Sequence, residues 1–132
     1  MKHSIFVALF LSFLFTGCYS VERDCTAFHT GTFTFSQFIG DQLQTSRFVR
    51  NDTLEVEFYQ QTIDSARIRW INDCECTLTK LHPTSNQDKR PISIRIIETR
   101  GDRYIFEYGF VGNTENRQRG EIIKISNELV SP

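Results

Sequence analysis

The sequence predicts an all-β fold: an antiparallel up-and-down meander of about eight strands closed into a small barrel, with a β-sandwich as the alternative architecture. Three observations carry this reading. Apolar and polar residues alternate with period two along nearly the whole chain beyond residue 18. Alanine is scarce there (Ala27 and Ala66), while Phe, Ile, Val, Tyr and Thr abound, a composition suited to pleated, half-buried surface. Short polar turns separate the alternating runs, and no stretch of helical periodicity intervenes.

The chain opens "MKHSIFVALFLSFLFTGCYS". Lys2 and His3 give a positive start, and the apolar run Ile5 to Phe15 is well short of the ~20 residues a membrane-spanning helix needs. Small residues Thr16 and Gly17 then precede Cys18, an arrangement that resembles a bacterial lipobox, with Phe15 where an aliphatic residue is usual. We therefore read residues 1–17 as a lipoprotein signal peptide and Cys18 as the lipid anchor, its thiol carrying diacylglycerol and its new amine palmitate. Each buried CH₂ contributes about 0.8 kcal/mol, so two or three chains hold a domain firmly at a membrane. Tyr19 stands where an inner-membrane retention signal would favour aspartate, which points to the outer membrane, facing the periplasm. Residues 18–26 then form a lipid-anchored tether and residues 27–132 a single β domain.

The formal net charge is −1, with both signs interspersed and no basic block, which excludes nucleic acid as a partner. The strands follow in order. "GTFTFSQF" sets Phe33 and Phe35 against Thr32, Thr34 and Ser36; "TSRFVR" continues the sheet; "LEVEFY" sets Leu54, Val56 and Phe58 against Glu55 and Glu57. "ARIRW" sets Ala66, Ile68 and Trp70 against Arg67 and Arg69, and "CTLTKL" follows. "ISIRI" sets Ile92, Ile94 and Ile96 against Ser93 and Arg95, "YIFEYGF" sets Tyr104, Phe106 and Tyr108 against Ile105 and Glu107, and "GEIIKIS" ends the set. Tight turns are expected at Arg50–Thr53, at Ile71–Asp73 and at Thr99–Gly101, the last with Gly101 left-handed. Centred there, the hairpin would pair Ile96 with Tyr104, Ile94 with Phe106 and Ile92 with Tyr108. The one long loop, His82–Pro91, is polar throughout. Sequential strands with one apolar face each are best served by closure into a lipocalin-like barrel, which removes both edges and either fills with side chains or holds one small ligand.

Three cysteines remain after Cys18: Cys25, Cys74 and Cys76. Export favours a disulfide. Cys74 and Cys76 sit two apart on a strand, at the edge of what a disulfide spans. Cys25 is therefore expected to pair with Cys74, with Cys76 as the alternative partner. Neither His29 nor His82 lies at metal-site spacing from a cysteine, and no C-x-x-C occurs, so no metal, redox or other cofactor is expected. GxSxG, HExxH and Walker patterns are also lacking, and no catalytic residue is assigned. Glu55 and Glu57 read as ion-pair partners of Arg67 and Arg69 on a wet exterior. Ile71, Ile97, Ile105 and Ile122 fall on the polar parity and could form an exterior apolar strip.

The stretches "CTAFHTGTF", "WINDCECTL", "IIETRGDRY" and "IIKIS" together resemble a family of small Gram-negative envelope lipoproteins, over nearly all of residues 25–126. The resemblance implies a pairing of Cys25 with the cysteine of the W-x-x-D-C stretch; at Cys76 the family more usually has tyrosine. Its members often carry a DNA topoisomerase IV label, which a small, acidic, exported chain without nucleotide motifs does not fit. The expected function is non-catalytic: an envelope lipoprotein whose barrel binds a small apolar ligand or serves a structural role. Interior residues Phe33, Phe35, Phe58, Trp70, Ile94 and Phe106 would line the site. The alternative is a module that binds a protein partner through the exterior strip.

Overall fold

A computed structural model describes residue 17 and residues 22–132. Residues 1–16 of the signal segment and Cys18 lie outside the described residues. Eight strands run in chain order: β1 (Gly31–Ile39), β2 (Gln42–Arg50), β3 (Leu54–Tyr59), β4 (Thr62–Asn72), β5 (Glu75–Lys80), β6 (Ile92–Arg100), β7 (Arg103–Phe110) and β8 (Gln118–Ser126). Each pairs antiparallel with the next, and β8 returns to pair with β1, so the sheet is a closed barrel with no free edge. Among the described residues the only helical element is a 3₁₀ turn, Thr26–Phe28, just ahead of β1.

The two ends of the barrel differ. At one end, Phe28 from the 3₁₀ turn inserts beneath the strands and meets Tyr104 edge-on at 5.0 Å. Phe33 and Phe48 stack at 5.0 Å beside them, and Ile68, Cys76 and Ile96 complete a buried apolar floor. The Cys25–Cys74 disulfide, with Cα atoms 5.1 Å apart, pins this plug to the β4–β5 turn. Further ties come from Arg23 Nη1 donating to the Ile96 carbonyl at 2.8 Å and Lys124 Nζ donating to the Ala27 carbonyl at 2.6 Å. The segment expected as a tether over residues 18–26 is thus docked on the barrel from Arg23 onward. Gly31 is required where β1 starts, because its φ is +135° and a Cβ there would lie 2.6 Å from Lys124 Cε and from the Ser126 carbonyl. The C-terminal tail lies against the outside of β1 and β2: Thr32 Oγ1 donates to the Glu128 carbonyl at 2.6 Å, and Arg47 Nη2 donates to that of Val130.

Three expectations are corrected by the register. The β6–β7 turn is the two residues Gly101 and Asp102, with Gly101 left-handed at φ 60°. A bulge between Ile96 and Glu98 offsets the ladder, so Ile96 faces Phe106, Ile94 faces Tyr108 and Ile92 faces Phe110. The bulge adds one unpaired residue, Ile97, and the apolar face survives. Second, β3 presents the opposite face from the one expected. Arg50 pairs with Glu55 and Phe48 with Glu57, which turns both glutamates inward and leaves Leu54, Val56 and Phe58 outside. The Asn51 side chain sets this by accepting from the backbone N–H groups of Thr53 and Leu54, so that Leu54 joins the turn as seen from β2. One residue of slip inverts a strand. The exterior ion pairs are accordingly elsewhere: Arg95 bridges Glu107 and Glu75, and Arg103 pairs with Glu121. Third, Ile122 is buried in the interior, opposite Tyr104 and Phe35. With Ile71 exposed at a β4 bulge, Ile97 and Ile105 half-buried and Ile122 inside, the four isoleucines form no continuous exterior strip.

Candidate functional site

Above the floor the barrel is not filled. A cavity of about 290 Å³ lies between Phe35, Ser46, Phe48, Glu57, Leu78, Ile94, Phe106 and Ile122. Two lobes continue toward the end where the β1–β2, β3–β4, β5–β6 and β7–β8 connections gather. One, of about 200 Å³, runs under Ile39, Gln44, Tyr59 and Thr62. The other, of about 320 Å³, runs under Asp64, Leu78, Lys80, Arg90 and Phe110. The space is kept by chain geometry. Gly120 faces inward, and the rings of Phe106 and Phe35 occupy the room beside it, since a Cβ there would meet both at 2.9 Å.

The cup has two unlike walls. β5 to β8, with Phe35 of β1, supply Leu78, Ile92, Ile94, Phe106 and Ile122, a largely apolar wall whose one polar group, the Tyr108 hydroxyl, is taken up by Gln118. β2 to β4 supply Gln44, Ser46, Glu55, Glu57 and Asp64. Most of this polarity is satisfied internally. Arg50, 2 % exposed at the cup floor, holds Glu55 Oε2 at 2.7 Å and donates to the Phe28 carbonyl and the Tyr104 hydroxyl, each at 3.2 Å. Its guanidinium lies 5.2 Å from the Phe33 ring centroid and 5.0 Å from that of Phe48. Burial opposes its charge, but Tyr104 and Glu55 outweigh that, and its pKa is raised. Lys80 Nζ sits 2.9 Å from Asp64 and 3.6 Å from Asp88, and its hydrogen bond to Asp64 makes it hold its proton more firmly than a free lysine. Tyr59 donates to Gln44 Oε1 at 3.2 Å, and Tyr108 to Gln118 Oε1 at 2.8 Å.

Two groups are left over. The hydroxyl of Ser46, a residue only 6 % exposed, is buried with no hydrogen-bond partner among the described residues. Glu57, half-buried, has neither an ion pair nor a side-chain hydrogen bond among them, and it alone borders all three lobes.

Of the residues expected to line an interior site, Phe35, Ile94 and Phe106 border the cavity. Phe33 and Trp70 instead belong to the sealed end, where Trp70 stacks on His29 at 3.6 Å. Phe58 is outside the barrel, for the register reason given above. Glu57, expected as an exterior ion-pair partner of Arg67 and Arg69, faces the interior instead, and Ser46 was given no role by the sequence. Ser46 could have been found, since it shares the parity of the core residue Phe48 two places on. Cys76 is a free thiol, 1 % exposed, and burial pushes its pKa up to about 12 against the opposing pull of Arg50. It packs as a small apolar side chain under the cup. Among the described residues no group of three His, Cys, Asp or Glu could hold a metal ion, and no helix is long and apolar enough to cross a membrane.

Comparison with family models, with curated proteins and with solved structures finds no match to this chain.

Proposed function

We propose that the protein is an acyl-anchored envelope protein, held at the outer membrane through Cys18, that binds a small molecule with an apolar body in the open half of its barrel and performs no catalysis. The observation that carries this reading is the asymmetry of the interior. A sealed, densely packed end supports a cup of about 290 Å³ with one apolar wall and an open mouth. An apolar concavity with a few convergent polar groups is the usual form of a small-molecule site. The paired disulfide favours an oxidising compartment and so agrees with export.

Native mass spectrometry of the protein released gently from its own membranes tests the reading. A bound mass that is lost on activation, together with saturable one-to-one uptake of an apolar fluorophore, is the expected result. Leu78→Trp, which fills the cup, should abolish uptake while the fold persists. Uptake unchanged by that substitution would remove the cup from the account. Incorporation of labelled palmitate by wild type but not by Cys18→Ala tests the anchor. A second reading, docking of a protein partner, draws on Phe38, Leu43 and Ile63, exposed outside the barrel near its open end at 73 %, 58 % and 69 %. Crosslinking in intact envelopes through residue 63 would detect it.

A further inference from the structure

We propose that the molecule held in the cup is a cation: an apolar body carrying a protonated amine, with Glu57 as its counter-ion and Ser46 as a second contact. This rests on the small-molecule reading above and specifies the ligand's chemistry. The charge count inside the barrel carries it. Arg50 is taken by Glu55, and Lys80 by Asp64 and Asp88. Arg90, at the mouth, lies 3.9 Å from the Phe110 ring centroid and points its charge there. Glu57 is the inward carboxylate left without a cation. A half-buried carboxylate without a partner is unfavourable, and a ligand ammonium supplies what it lacks.

Ser46 gives independent support. A buried hydroxyl without a partner is uncommon in a folded interior, and this one lies on the same wall, bordering two of the three lobes that Glu57 borders. A hydroxyl accepts as well as donates, so one ammonium can donate to both groups. Opposite them, Leu78, Ile92, Ile94 and Phe106 offer an apolar surface, with the hydroxyl of neighbouring Tyr108 already bonded to Gln118, which suits an alkyl or aryl body. An anionic amphiphile is disfavoured, because it would place its charge beside Glu57, and of the cations bordering the lobes Arg50 and Lys80 have carboxylate partners while Arg90, without one among the described residues, sits over the Phe110 ring at the mouth.

The test uses the full-length lipidated chain in lipid nanodiscs, titrated calorimetrically with hexylamine, hexanol and hexanoate, with empty nanodiscs subtracted. The three probes share a body and differ in the head group. Hexylamine should bind at least about tenfold more tightly than hexanol, as expected for a hydrogen bond to a charged group, and hexanoate most weakly. Glu57→Gln should bring hexylamine to within about threefold of hexanol, with a far-UV circular dichroism spectrum and urea midpoint like those of wild type showing that the variant is folded. Glu57→Asp should restore part of the preference. Equal binding of amine and alcohol by wild type, or an amine preference that survives Glu57→Gln, overturns the inference and leaves the small-molecule reading standing. Failure of all three probes to bind overturns that reading as well.

Discussion

Replacing Arg50 by methionine removes a guanidinium that is 2 % exposed and organises the sealed end of the barrel. It holds Glu55 at 2.7 Å, satisfies the carbonyl of Phe28 and lies over two phenylalanine rings. Breaking a buried pair by removing one partner costs about 3–5 kcal/mol, because the other charge stays behind without compensation. Glu55 has a side chain 14 % exposed toward the cup, which places the cost near the low end, about 3 kcal/mol. For a domain of this size that lowers Tm by about 10–15 °C. Urea denaturation of wild type, Arg50→Met, Glu55→Leu and the double variant measures it, provided the m-values agree. Each single variant strands a charge, whereas the double variant strands none. The double variant should therefore be more stable than either single, with a coupling of about 2 kcal/mol or more. An Arg50→Met protein within about 1 kcal/mol of wild type, or strict additivity in the cycle, would refute the reasoning.

Three further predictions concern the cysteines and alkaline pH. Replacing both Cys25 and Cys74 by alanine opens a link spanning 49 residues and should cost about 3–4 kcal/mol in urea midpoints; a loss below 1 would show that the plug holds without its staple. Burial pushes both the Cys76 thiol and the Tyr104 hydroxyl up to about 12, from ordinary values of 9.0 and 10.0. Between those values and 12 the unfolded chain has released protons that the folded one keeps, so stability falls as pH rises. The urea midpoint should be level from pH 7 to 8.5, decline from pH 9, and decline less steeply in Cys76→Ala. A level midpoint up to pH 11 would contradict the burial of both groups. By the same logic iodoacetamide at pH 8 should label Cys76 only after unfolding.

The strand count and closure were readable because period-two alternation and tight turns are local properties. The Cys25–Cys74 link was readable because two cysteines two apart on a strand are poorly placed to pair with each other, which leaves Cys25 as the partner of one of them. The facing of β3 was hidden. "LEVEFY" has its apolar residues on alternate positions, so alternation alone sends Leu54, Val56 and Phe58 inward. The structure overrides this because Arg50, committed inward by the parity of Phe48, needs a carboxylate opposite, and Glu55 meets that need only if the turn is one residue longer. A barrel with a half-open interior tolerates the polar side chains that come inward with it, whereas a filled one would not. Glu57 became visible only with that register. The β6–β7 ladder was legible in its face but not in its pairs, since a bulge at Ile97 leaves no mark in the alternation of its neighbours.

The central claim is that ligand occupies the inside of the barrel. Methyl resonances of selectively labelled protein report it directly, because interior and exterior methyls are distinct sets. Titrated with hexylamine, the methyls of Leu78, Ile92, Ile94 and Ile122 should shift together and saturably, while those of Ile63, Ile71 and Leu129 stay fixed. Shifts confined to the exterior set would contradict the claim.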